Sequence, residues 1–463
     1  MPFPRFSAAL WTCFSTSRFA CSRRIGSTVN RFHDYWKTEE SLELAAPTAD
    51  IPGESSECES PIADRYRGIP VWIHPRDGGL LDCELTSDGG HTFLLDDAIA
   101  NVQLERYVPK EGSAARKTEI LKKIYYLAKP LMPRFLQLTA QRVNARSRLR
   151  KVEYPEWPQD DSLRGFLNAA LVDLIERANT DRVPFIGFWP RGYSWAACFT
   201  HDVEMPPGLR GMGKMANIEK ENGIRSTWYL VPERYPVSRE DFDWLRDDGH
   251  EIGVQGLKHD GKLFATREEF TRRVPLVNRY LREWEAVGFR SPVLYRNPDW
   301  LPELEISYDS SFMDSAVLEP QMGGVSTCLP FHLNDQVIEL PITMPMDHHL
   351  INLLKTDLVE GMLTKFQWVV ERHGMANFLY HPDYNLGEDM LKAYRKVVES
   401  VVQTQGGWVT TAADIADWWK RRHESKIVSG PEGPSVEGPA SADGAIWIAR
   451  LDEGKVVIEE PPL

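Results

Sequence analysis

Three short blocks in the middle of the chain carry residue types that move protons and hold ions. They are Thr200-His201-Asp202-Val203-Glu204, the run from Gly249 to Asp260 that contains His250, Glu251, Gln255 and His259, and Phe378-Leu379-Tyr380-His381. Each sets carboxylates, imidazoles or both just after an apolar, β-like run. Strand ends of an α/β sheet or barrel are where catalytic side chains from distant stretches gather. The pattern points to a chemical site assembled from several strand ends.

The elements that must position these blocks follow from the texture of the chain after Trp189. Strand candidates are Trp195–Thr200, Ser226–Val231, Glu251–Val254, Phe289–Leu294, Val337–Leu340, Asn377–Tyr380 and Trp408–Thr410, with helical stretches between them. Ser238 with Asp241, and Thr266 with Glu269, have the spacing of N-cap pairs before helices that end near Gly249 and Gly288. Strands regularly separated by helices pair in parallel through right-handed crossovers. The alternatives are an open doubly wound sheet or a (β/α) barrel, and about seven such units favour the barrel. Upstream, short runs at Ile69–His74 and Leu80–Leu85 read as strands, and Ser113–Arg150 and Asp161–Ala178 as helices.

With 463 residues the chain is long enough for more than one folded unit. The expected division is a tail over 1–65, an N-terminal α+β accessory region over 66–183, the barrel over 184–425, and a flexible tail with a terminal β-hairpin over 426–463. The net charge of −13 disfavours a general nucleic-acid binder. Between Glu105 and Lys151 the balance reverses, with 13 Lys and Arg against 3 Glu, and this segment reads as a solvated helical face. The 6 cysteines are scattered without C-x-x-C spacing and read as free thiols. The first 33 residues hold five arginines and no acid before Asp34, which reads as a transit-type leader or a disordered tail. No run of about 18 apolar residues occurs, so no transmembrane segment is expected and a soluble, cytoplasmic protein is favoured. Trp189, Trp228 and Trp300 read as core before they read as sugar platforms.

Thr-His-Asp-Val-Glu, the Gly-His-Glu-Ile-Gly segment ending in His259, Phe289-Arg290-Ser291-Pro292, Tyr308-Asp309-Ser310-Ser311 and Leu379-Tyr380-His381 occur in the order and approximate spacing of a known family. Over Pro184 to Lys420 the chain resembles the polysaccharide deacetylases, or NodB-homology family. The resemblance implies a distorted (β/α) barrel that binds a divalent metal and removes N- or O-linked acetyl groups from a carbohydrate or an acetylated small molecule. On that basis Asp202 matches the catalytic base, Arg290 the arginine that pairs with it and lowers its pKa, and His381 the general acid. Glu204, Gln255 and His259 match the metal ligands. Val293 stands where the family often has an aromatic residue, with its backbone N–H as the oxyanion donor. Asp347, His348 and His349 lie near the family's fourth motif without a close match, and His250 is expected to pack or cap.

Gln255 departs from the family, which usually has histidine at that position. An amide oxygen is a poorer partner for zinc than imidazole, while harder cations accept it more readily. The ion could be zinc, or manganese, magnesium or cobalt. Two functions are therefore carried forward: a metal-dependent hydrolase, and a catalytically silent barrel serving as a carbohydrate-binding or structural module.

Overall fold

The computed structural model describes residues 30–38, 48–51, 83–85, 91–108, 133–152, 154–384, 386–431 and 433–461. The expectations for residues 1–29, 52–65, 69–74 and 113–132 lie outside the described residues.

The chain enters with a short helix, α1 (Arg31–Trp36), capped by Asn30, whose side chain accepts from His33 N. This departs from the expected tail. The helix is fixed by what it touches: Trp36 is fully buried, its ring meets Tyr35 and Phe185 edge-on, and its Nε1 donates to Leu167 O at 3.3 Å. Six residues cannot hold a helix alone, so tertiary packing supplies the stability. Strands β1 (Thr48–Ile51), β2 (Cys83–Leu85) and β3 (His91–Leu94) form a small antiparallel sheet in the order β1-β3-β2. Helices α2 (Leu95–Gln103), α3 (Arg134–Lys151) and α4 (Ser162–Arg177) follow. The basic α3 is less detached than expected, since Arg142 Nε donates to Asn352 O at 2.7 Å and Arg148 to Glu319 O at 2.5 Å.

After β4 (Arg182–Ile186) comes the central strand β5 (Trp195–Val203), in which every residue is buried. Its alternate residues Trp195, Ala197 and Phe199 enter one apolar cluster, and Ala196 and Cys198 another. That period of two is what a strand covered on both faces requires. The crossover helix α5 (Pro206–Glu221) starts with proline, where a missing N–H costs nothing. Then follow β6 (Thr227–Leu230), α6 (Asp243–Asp247), β7 (Glu251–Gln255), α7 (Arg267–Glu283, N-capped by Thr266), β8 (Gly288–Arg290), β9 (Tyr308–Asp309), β10 (Phe331–His332) and β11 (Ile338–Glu339). Helix α8 (Leu358–Val370), β12 (Met375–Tyr380), α9 (Glu388–Gln403), β13 (Gly407–Val409) and α10 (Ala412–His423) complete the unit.

The sheet order is β10-β11-β9-β8-β7-β6-β5-β12, with β13 also on β5, and β10–β11 is the antiparallel pair in it. Among the described residues no ladder joins β10 to β12, so this distorted (β/α) barrel stays open. Each strand expected after Trp189 has a counterpart, although β8 stops at Arg290 because Pro292 lacks an N–H and Val293 turns into left-handed backbone at φ 60°. Inside, Tyr229 donates to Tyr308, and Tyr308 to Glu251 at 2.7 Å. Gly253 and Gly288 make room for these rings, since a Cβ at either would stand 2.5 Å and 2.1 Å from Tyr229 and Tyr308.

The C-terminal segment carries two hairpins. Strands β14 (Lys426–Gly430) and β15 (Gly433–Glu437) form a hairpin, and β16 (Ile446–Asp452) with β17 (Lys455–Glu459) form the expected terminal one. β16 also pairs with β4, so a strand at the 183/184 boundary is tied to the end of the chain. Cys198 and Cys328 are buried free thiols, as expected. No described helix is long and apolar enough to cross a membrane.

Two predictions follow from the packing. Trp36→Ala should lower the unfolding free energy by about 3–5 kcal/mol, read by denaturant titration, because a large buried ring leaves a cavity. The second concerns Asp309 and Glu339, paired across β9 and β11 and fully buried. Burial first, then the Asp309 charge, holds the Glu339 carboxyl well above its ordinary range, and burial likewise raises Asp309. A raised carboxyl contributes stability that is full below the ordinary carboxylate range and fades as pH rises through its folded-state value. Glu339→Gln should therefore flatten the fall in melting temperature as pH rises above the ordinary carboxylate range, and an unchanged slope would contradict the raised Glu339 carboxyl.

Candidate active site

The site lies beyond the C-terminal ends of β5, β7, β8 and β12. On β5, Thr200 and Asp202 share the inward face with Ala196 and Cys198. His201 points the other way, where its Nε2 meets the buried Glu219 of α5 at 2.6 Å. His201 thus belongs to the packing of α5 rather than to the pocket. His250 is also structural, as expected: it is buried, and its Nδ1 accepts from Ser226 N at 3.0 Å.

Asp202 is almost fully buried and is held from two sides. Arg290 Nη1 donates to Asp202 Oδ1 at 3.0 Å, and Gln255 Nε2 donates to Asp202 Oδ2 at 2.8 Å. Arg290 was expected to lower the Asp202 pKa, and it does oppose the shift. Burial is the larger influence, however, and the carboxyl is raised overall. The correction has a chemical meaning, because a raised carboxylate is a stronger base.

Glu204 lies just past the strand. Asp383 holds its backbone, Oδ2 accepting from Glu204 N and Oδ1 from Met205 N, each at 2.7 Å. Gly208 leaves the space that Asp383 needs, since a Cβ there would stand 2.4 Å from Asp383 Oδ1. Burial alone would raise Glu204, but His259, His381 and Arg234 together outweigh it and hold the carboxyl at about 2. His259 adopts left-handed backbone at φ 51°, which brings its Nε2 to 2.7 Å from Glu204 Oε1 without hydrogen-bond alignment.

His381 follows β12. Asp347 grips it twice, accepting from His381 N at 2.8 Å and meeting His381 Nδ1 at 2.9 Å. Burial alone would lower this imidazole, but Asp347 and then Glu204 and Asp202 overcome it and raise the pKa to about 10. The Nε2 edge faces Glu204 Oε1 at 3.8 Å. Tyr384, 42% exposed, stacks on the ring at 5.2 Å.

All six residues matched through the resemblance, Asp202, Glu204, Gln255, His259, Arg290 and His381, meet in this one pocket. Of the loose cluster beside them, Asp347 belongs to the site, whereas His349 turns to Glu319 at 2.5 Å and His348 lies near Asn352. Asp383 and Tyr384 were missed by sequence reading; the signal for both is their position just after His381.

The donors suit a hard cation better than zinc. Ligand atoms of Asp202, Glu204 and His381 lie within 4.8 Å of one another. Gln255 Oε1 is buried without a hydrogen-bond partner, on the amide whose Nε2 faces the two carboxylates, and His259 Nε2 stands 2.7 Å from Glu204 Oε1. An unpartnered amide oxygen that a half-turn would bring inward, with an imidazole set against an ionised carboxylate, makes a donor set that a cation could take.

No family model matches the chain. A peptidoglycan deacetylase of Helicobacter pylori is 22% identical over 256 residues, covering 47% of this chain and 87% of the relative. Among solved structures, a protein named as a polysaccharide deacetylase from Mycobacterium smegmatis is 20% identical with a TM-score of 0.42, covering 50% of this chain and 92% of that one. Another so named, from Pseudomonas aeruginosa, is 16% identical with a TM-score of 0.43, covering 54% and 97%.

The geometry makes a direct prediction about protonation. Histidine-resolved NMR should find His381 protonated through neutral pH, and Asp347→Asn should lower its pKa. An unchanged titration in the variant would show that Asp347 is not the source of the shift.

Proposed function

We propose that this member of the polysaccharide deacetylase family is a metal-dependent hydrolase that removes acetyl groups, N- or O-linked, from a carbohydrate. The curated relative and the ordered motifs support the family assignment. The observation that carries the activity is the convergence of Asp202, Glu204 and His381 ligand atoms within 4.8 Å, flanked by Arg290, Gln255 and His259.

Glu204, Gln255 and His259 would hold the ion, with the Gln255 amide turned so that oxygen rather than nitrogen faces inward. When bound, a divalent ion polarises the acetyl carbonyl and acidifies water. Asp202 takes the proton from the attacking water, and its raised pKa makes it competent to keep it. Arg290 fixes the Asp202 carboxylate on the face where the water must sit. The Val293 backbone N–H, in its left-handed turn, offers a donor to the developing oxyanion. His381, protonated and oriented by Asp347, gives its proton to the departing amine or alcohol. Tyr384 presents an aromatic face at the mouth on which a sugar ring can stack.

A silent barrel is the second reading, and one contact favours it: Gln255 Nε2 donates to Asp202 Oδ2 and so occupies the base. Assays on acetylated chitin oligosaccharides and an acetate ester probe separate the two. The hydrolase reading expects acetate release that stops on chelation, and a drop of about 10²–10⁴-fold in Asp202→Asn, the range for a positioned proton-transfer group. Gln255→His should shift metal preference toward zinc. If the wild type retains no ion and releases no acetate while Gln255→His does both, the silent reading holds.

A further inference from the structure

Away from this pocket, three side chains far apart in sequence meet where α1, β10 and the end of α10 touch. Asp34 Oδ1 lies 2.7 Å from His423 Nδ1 and 3.8 Å from His332 Nε2. The two imidazole rings are 4.3 Å apart, and the three ligand atoms all fall within 4.8 Å of one another. His332 is 2% exposed, and neither of its ring nitrogens makes a hydrogen bond. The Asn334 backbone, near enough to favour the protonated ring, makes no aligned bond to it. Leaving such a group unsatisfied costs about 1–3 kcal/mol, which native proteins seldom tolerate without a reason.

We propose that Asp34, His332 and His423 form a second metal site, one that takes a transition-metal dication such as zinc and fastens α1 to the barrel. Two imidazoles and one carboxylate are a donor set for zinc or iron(II) rather than for magnesium or calcium. Ligands at about 2.0–2.1 Å on a tetrahedral ion stand roughly 3.3 Å apart, so small side-chain shifts suffice. His423 ends α10, where the negative pole of the helix favours a cation.

The neighbouring cations test the idea, and they point away from the carboxylate. Arg422 donates to the carbonyls of Asp34, Tyr35, Ile186 and Gly187, and Arg31 to Gln103 and the carbonyls of His332 and Leu333. Both guanidiniums are thus spent on fixing the loops that carry the ligands. Beside His423 opens a cleft of about 410 Å³, lined also by His33, Lys37 and Glu437. Of the three ligands His423 lines it, so water would approach a fourth coordination position from that side.

The test separates the two sites by working in the full chain carrying Glu204→Ala and His259→Ala. After metal stripping, zinc titration by calorimetry and cobalt(II) absorption are recorded in that background. We expect one equivalent of zinc, a tetrahedral cobalt spectrum, and a zinc-dependent rise in melting temperature. Adding His423→Asn, at a partly exposed position, should weaken zinc at least tenfold while circular dichroism stays unchanged. His332→Asn should do the same. No zinc uptake in the background, or uptake that survives both substitutions, overturns the proposal.

Discussion

The barrel depends on one buried guanidinium. Arg290 is fully shielded and donates from Nη1 to Thr200 Oγ1 and Asp202, from Nε to Ser310 O, and from Nη2 to Ser310 Oγ, while its plane covers Tyr229 at 4.3 Å. An unpaired charge at such a place would cost several kcal/mol, so it persists only where every donor has a fixed partner. Those partners lie on β5 and on the segment leaving β9. The requirement therefore sets how these strands stand against β8, and with it the place of Asp202 at the mouth. Structure and chemistry share one constraint here, since the contact that makes the core tolerable also orients the carboxylate.

From Arg290 outward the charges alternate. Asp202 meets the guanidinium on one oxygen and the Gln255 amide on the other, and Glu204 meets His259, with His381 and Asp347 closing the far side. Gln255 is the neutral link between two carboxylates. Its Nε2 reaches Asp202 at 2.8 Å and Glu204 at 3.5 Å, which relieves their repulsion when no cation is between them. Amide nitrogen and oxygen occupy nearly the same space, so a half-turn exchanges a donor to two anions for an oxygen ligand. A histidine at that position would favour the ion-bound state more strongly. Glutamine in place of histidine would thus weaken metal binding here without dismantling the geometry of the cluster.

The strand ends were legible in sequence because each is an apolar run followed by an abrupt polar residue, and this period survives even where the strand is short. β9 and β10 were not, since Tyr308–Asp309 and Phe331–His332 lack the flanking apolar run that marks β11 within Val337–Leu340. Among Asp347, His348 and His349 composition cannot say which turns inward; the backbone of the π-helical turn His348–Leu354 decides it. The net upward shift of Asp202 was also hidden, because residue types announce the Arg290 partner but not the depth of burial that outweighs it. Helix α1 escaped notice for a similar reason: Arg31–Trp36 has no amphipathic pattern long enough to see, and its apolar side is defined by distant partners such as Phe185 and Phe188.

That helix matters to the barrel because the inward face of the sheet is not finished by the barrel itself. Ala196, Cys198, Tyr229 and Tyr308, all inside, belong to the same apolar cluster as Trp36, Phe166 and Leu171 from the N-terminal side and Trp447 from β16. β4 and β16 pair at the edge of this cluster, and Arg422 bonds the carbonyls of α1 and β4 together. An open sheet leaves an end where solvent could reach the polar interior, and here Ala413 N and Thr227 Oγ1 bind Glu251 at that end, next to the apolar cluster shared with α1 and β16. Water exclusion from below is what keeps Asp202 and Arg290 strongly coupled, since the same charges in high dielectric would attract far less. The segments outside Pro184–Lys420 therefore bear on the site through the dielectric they maintain, and α3 also bonds the turn that follows Asp347, through Arg142 to Asn352 O.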